Sequence, residues 1–123
     1  MKLRTTTAAL SMILMASALA APAHAARQTV FDDFRCTGPG SGLTTCISFV
    51  GTRNSYAAFA RGAGYFGHVD LWGPGITFKQ TGDENNPVIQ GDGLGTGWLC
   101  AHGWAPVGSG HYVDMGFPCV FVP

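Results

Sequence analysis

The stretch Gly67-His68-Val69-Asp70-Leu71-Trp72-Gly73-Pro74-Gly75-Ile76-Thr77-Phe78-Lys79 decides the fold. His68–Trp72 and Ile76–Lys79 are short runs rich in β-branched and aromatic residues, the composition of strands. Between them Gly73-Pro74-Gly75 makes a tight turn, because proline fixes φ and glycine supplies a positive φ. Strand, tight turn and strand fit into thirteen residues, which leaves no room for a helix.

The same punctuation continues in both directions. Further strands are expected at Gln28–Phe34, Thr45–Val50, Ser55–Ala60, Val88–Gln90, Gly97–Ala101, His111–Asp114 and Cys119–Val122. All 18 glycines follow residue 25, and no stretch among them sustains a helical apolar period free of glycine. Thr37–Gly42 and Gly91–Gly97 are so rich in glycine that they are expected to be flexible loops. Thr81–Pro87 is the most polar segment and belongs on the surface. Short strands at this spacing predict an all-β domain, a small sandwich or barrel. Gly67–Pro74 and Gly110–Pro118 also echo one another at an offset of 43 residues with a one-residue gap. That is the length of a Greek-key unit, so two such units packed together are one possible arrangement.

Residues 1–25 read as a secretory signal peptide. Lys2 and Arg4 form the positive region, Ala8–Ala20 the apolar one, and Ala23-His24-Ala25 the small-residue cleavage site. The expected mature chain, 26–123, is one secreted domain. A domain this small gains from covalent staples, and its four cysteines are expected to be oxidised in that compartment. Cys36–Cys46 and Cys100–Cys119 each bracket a glycine-rich turn between strand-like runs, and this pairing is preferred. The alternative, Cys36–Cys119 with Cys46–Cys100, stays open at this level. Each bridge would stabilise the fold by roughly 2–4 kcal/mol through loop entropy.

The mature chain has five basic residues against seven acids, a net charge of −2, and no basic cluster. Nucleic acid and anionic membranes are therefore not expected partners. No motif for catalysis is found. Ser41, Ser48, Ser55 and Ser109 lack a GxSxG context, and no CxxC occurs. His68, His102 and His111 with Asp70 and Asp114 lack the local spacing of a zinc set, and Asp83-Glu84-Asn85-Asn86 lacks the ligand spacing of an EF loop. No enzyme, metal or cofactor is expected.

The aromatic residues carry the functional expectation. Trp98, Cys100 and His102 share one strand face, which Trp104 joins if Gly103 keeps the register. Tyr56, Tyr65 and Tyr112 lie beside Gly or Ser and are expected to be exposed. Rigid aromatic groups on a surface of low charge suit protein and sugar recognition. An extended arm, Arg27, Gln28, Thr29, Val30 and Phe31, precedes the first cysteine and could add a strand to a partner's sheet. The expected partner-binding residues are this arm and the three tyrosines.

The GHVDLWGPG run followed by a TGD turn, and the late GWAPVGSGHY and GFPC runs, resemble small secreted proteins of actinobacteria. Within that group the chain is similar to the adaptor subunit of umbrella toxin particles. The resemblance implies a non-catalytic adaptor in an extracellular antibacterial complex, joining a lectin-bearing subunit to a large toxin subunit. It transfers no individual functional residue. In length, cysteine number and β character the chain also resembles Streptomyces inhibitors of amylase and metalloproteinases, though without the Trp-Arg-Tyr triplet of the amylase inhibitors. On that alternative, a small inhibitor of secreted proteases or glycosidases, Thr37–Thr45 would be the reactive segment.

Overall fold

The computed structural model describes residues 31–123. The expected leader (1–25) and the arm residues Arg27, Gln28, Thr29 and Val30 lie outside the described residues. The described part is all-β. Its strands are β1 (Phe31–Gly40), β2 (Leu43–Thr52), β3 (Ser55–Ala63), β4 (Phe66–Gly73), β5 (Ile76–Gln80), β6 (Glu84–Asn85), β7 (Val88–Gly93), β8 (Gly97–Pro106), β9 (Tyr112–Asp114) and β10 (Cys119–Val122).

Two antiparallel sheets stack as a sandwich rather than closing into a barrel. The first sheet runs β1-β2-β3-β7 and the second β10-β8-β4-β5. In the second sheet β6 lengthens the rank of β5 along β4, and β9 lengthens the rank of β10 along β8. The core follows from the two-residue period of a strand. Ile47 and Phe49 point inward from β2, Tyr56, Ala58 and Ala60 from β3, Val69 and Leu71 from β4, Leu99 and Ala101 from β8, and Val120 and Val122 from β10. Gly67–Pro74 and Gly110–Pro118 both lie in the second sheet, on either side of β8, and not across the core from each other.

Both preferred disulfides are present, and the crossed pairing is excluded. Cys36 faces Cys46 across β1 and β2 with Cα atoms 4.0 Å apart. Cys100 faces Cys119 across β8 and β10 at 4.2 Å.

Two expected loops are ordered instead. β1 continues to Gly40 and turns through Ser41 and Gly42 at φ 58° and 78°. Positive φ at both central positions is the type I′ pattern, whose twist matches that of the strands it joins. A hairpin therefore replaces the flexible Thr37–Gly42 loop. Gly91 and Gly93 belong to β7 and are buried. A Cβ at Gly93 would collide with the Tyr56 ring, so this glycine makes the groove that the ring fills.

That groove explains a correction. Tyr56 and Tyr65 are buried, 2% and 7% exposed, and not on the surface. Tyr56 shares its strand face with Ala58 and Ala60, and its hydroxyl donates to the Pro74 carbonyl. Tyr65 lies over Gly62 and Gly103, where any side chain would meet its ring or hydroxyl. Its hydroxyl lies 2.9 Å from Thr45 Oγ1, which donates in turn to the Met115 carbonyl at 2.8 Å. Burial raises the pKa of both phenols. Phe31, expected in a free arm, is already held in the sheet, its backbone paired with Gly51.

Candidate functional site

The outer face of the second sheet collects the chemistry. With Val69 and Leu71 in the core, β4 turns His68, Asp70 and Trp72 outward. With Leu99 and Ala101 in the core, β8 turns Trp98, Cys100, His102 and Trp104 outward. Gly103 keeps the register, so Trp104 joins the face as the sequence allowed. Pairing sets His68 opposite Trp104, Asp70 opposite His102 and Trp72 opposite Cys100. On the flanks Gln80 of β5 faces Asp70, and Asp114 of β9 faces Trp104.

Five rings form one pile along this face. Phe78 stacks on Trp72 with centroids 6.4 Å apart, and Trp72 stacks on Phe117 at 5.5 Å. Phe117 stacks on His102 at 4.9 Å, and His102 on Trp104 at 3.9 Å. Interplanar angles of 22–29° make this a nearly parallel, offset stack, the favoured arrangement for aromatic pairs. Beyond it Trp98 and Phe121 meet edge to face at 5.3 Å. Trp98 is 61% exposed and Phe78 57%, with Phe117 and Phe121 also well exposed.

A polar network closes the Trp104 end of the pile. Asp70, 9% exposed, accepts from Gln80 Nε2 at 2.8 Å and from Trp104 Nε1 at 3.1 Å. Asp83 accepts from the Tyr112 hydroxyl at 2.9 Å and faces His68 Nδ1 at 2.9 Å. The hydrogen bonds from His68 and Tyr112 lower the pKa of Asp83, so it stays a carboxylate and His68 Nδ1 is the donor. The same bond, seen from the other side, raises the pKa of Tyr112. His68 Nε2 is 3.8 Å from Asp70 Oδ1, beyond hydrogen-bond reach. His102 Nε2 is buried without a hydrogen bond, 3.4 Å from an Asp114 oxygen that accepts instead from Gly116 N–H.

Of the expected partner-binding residues that the structure describes, only Tyr112 belongs to this site. Phe31 lies on the edge strand of the other sheet, and Tyr56 and Tyr65 are in the core. The cysteine pair Cys100–Cys119 lies on this face and ties β10 to β8. Sequence reading missed Phe78, Gln80, Asp83 and Phe117. The alternation Phe78, Gln80 on β5 was a usable signal, whereas Asp83 and Phe117 arrive from irregular segments that carry no periodicity. Among the described residues, no group of three His, Cys, Asp or Glu side chains is placed to hold a metal ion.

The chain matches no protein-family model, no curated protein and no solved structure.

Proposed function

We propose that this chain is a secreted, non-catalytic binding protein, an adaptor or structural subunit of an extracellular protein complex. The observation that carries this reading is the exposed aromatic surface of Phe78, Phe117, Trp98 and Phe121 on one sheet face. Large aromatic side chains left in contact with water cost solvation free energy and become contact area when a partner covers them. They also order cheaply on binding, having few rotatable bonds. Two disulfides in a small β domain fit an oxidising compartment. The resemblance to umbrella-particle adaptors suggests an antibacterial toxin complex as the assembly.

The test is affinity purification of the tagged protein from culture supernatant of the producing organism, beside a Trp98→Ala/Phe121→Ala variant. The expected result is a secreted protein retained by the parent chain and lost from the variant. A strictly monomeric, partner-free species overturns the reading. The stapled hairpin of β1 and β2 favours a second reading, an inhibitor of secreted proteases or glycosidases, because a bridged tip loses less entropy on docking. No inhibition across a panel of such hydrolases at micromolar protein removes it.

A further inference from the structure

We infer that the depression at the Trp104 end of the aromatic pile is a binding site for a neutral sugar ring. This goes beyond the docking surface proposed above, because His68, Gln80, Trp104 and Tyr112 line it and none of them belongs to that surface. It has a volume of about 380 Å³ and opens broadly to solvent, a shape that admits a ring at the end of a longer chain.

Three observations fix the chemistry. First, the site is lined by a ring that ends a stack. His102 covers the Trp104 indole from one side, and no further ring stacks on it among the described residues. A ligand ring seated in the depression takes the next place in the pile, with its C–H face on the indole. Second, most donors around the depression are taken up internally. Gln80 Nε2 and Trp104 Nε1 donate to Asp70, while His68 Nδ1 and the Tyr112 hydroxyl donate to Asp83. What remains is mainly acceptor capacity, Gln80 Oε1 and lone pairs on two carboxylates that each use only part of theirs, beside the second N–H of Gln80. An acceptor-rich site takes a donor-rich ligand, and a ring of hydroxyl groups is one. Third, two carboxylates flank the site and no Lys or Arg lines it, so phosphate, sulfate and uronate groups are repelled. Because Asp70 holds Gln80 and Trp104 and Asp83 holds His68 and Tyr112, the acceptors are oriented before the ligand arrives.

The test is a glycan array carrying neutral, amino, sulfated and uronate oligosaccharides, probed with the mature disulfide-bonded protein. Hits are followed by titration of the tryptophan fluorescence, with choline as an amine control. A neutral saccharide is expected to bind. Gln80→Ala, an exposed position, is expected to weaken it about 3- to 10-fold, as loss of one neutral hydrogen bond does. Trp104→Ala is expected to weaken it about tenfold or more, with Trp104→Phe restoring most of the loss because the stacking ring returns. Trp98→Ala leaves sugar affinity unchanged, which separates this site from the proposed protein-docking surface. Absence of any neutral ligand at millimolar saccharide overturns the inference. So does binding confined to anionic or amine probes, or sugar binding indifferent to both Gln80→Ala and Trp104→Phe/Ala.

Discussion

Thr45 is the residue on which two halves of the sandwich meet through hydrogen bonds, and removing its hydroxyl has a calculable cost. Its Oγ1 donates to the Met115 carbonyl and accepts from the Tyr65 hydroxyl, in a region where Thr45 itself is 0% exposed. Tyr65→Phe removes one partner and leaves Thr45 with its other bond, so it should cost about 1 kcal/mol. Thr45→Val keeps the shape but leaves two buried groups unpaired, the Tyr65 hydroxyl and the Met115 carbonyl. At about 1–3 kcal/mol for each buried unpaired group, the single substitution should cost about 2–6 kcal/mol. The double variant Thr45→Val/Tyr65→Phe leaves only the carbonyl unpaired, so it should be no less stable than Thr45→Val alone. Urea unfolding with intact disulfides measures all four corners of the cycle, and an unchanged slope checks that the unfolded state is comparable. Melting temperatures should move by about 4–8 °C per kcal/mol in a domain this size. A double variant that is less stable than Thr45→Val by the whole Tyr65→Phe cost would refute the argument, because the two hydroxyls would then be energetically independent.

Other consequences are open to direct measurement. Gly93→Ala pushes a Cβ into the Tyr56 ring and should cost about 1–3 kcal/mol, while Gly82→Ala, with open space around it, should stay within about 0.5 kcal/mol of the parent. Cys100 and Cys119 are 19 residues apart and Cys36 and Cys46 are 10. Loop entropy alone then makes loss of the longer bridge costlier by about 0.6 kcal/mol, measurable by unfolding the two Cys→Ser pairs separately. Asp83 binds its proton less readily in the folded chain, so the stability it adds is complete above the ordinary carboxylate range and is lost as pH falls through its lowered value. NMR titration should show the Asp83 midpoint move up towards the ordinary value in Tyr112→Phe; an unmoved midpoint would mean that the hydroxyl does not act on it. Tyr56 and Tyr65 act in the opposite sense. Their contribution is whole below the ordinary phenol value and is lost as pH rises through the raised ones, so alkaline unfolding should coincide with the appearance of phenolate absorbance.

Much of the architecture was legible because the local signals agree. Val69 and Leu71 alternate with His68, Asp70 and Trp72, and Gly73-Pro74-Gly75 can only turn. The cysteine pairing was read from hairpin logic, which holds for β1 and β2, whereas β8 and β10 pair with β9 between them in the chain; both bridges span directly opposed residues. The tyrosines were misread because exposure was inferred from neighbours in sequence, whereas the neighbours that decide it are on adjacent strands. Gly93 makes room for Tyr56, and Gly62 with Gly103 for Tyr65. Parity would have placed Tyr56 correctly, since it is in phase with Ala58 and Ala60. The site itself was only half visible. Strand alternation puts Trp98, His102 and Trp104 on one face, but the meeting of Asp70 with Trp104 requires β4 beside β8, a pairing across more than thirty residues. Phe117 and Asp83 enter from segments between strands, where no period announces a direction.

The uneven rims of the two sheets bear on how such a molecule behaves when concentrated. The second sheet is interrupted on both flanks, by residues 81–83 between β5 and β6 and by residues 115–118 between β9 and β10, so a visiting strand finds no continuous ladder longer than β5. The first sheet ends on β1, ten residues long, and on β7, six residues long, so among the described residues β1 offers the longest row of unsatisfied backbone groups. Antiparallel pairing of two copies through β1 about a two-fold axis would cover that longest rim in both. Among the described strands, such a closed pair leaves uncovered only the short β7 rim and the broken rims of the second sheet, so its longest edge is no longer open to a third copy.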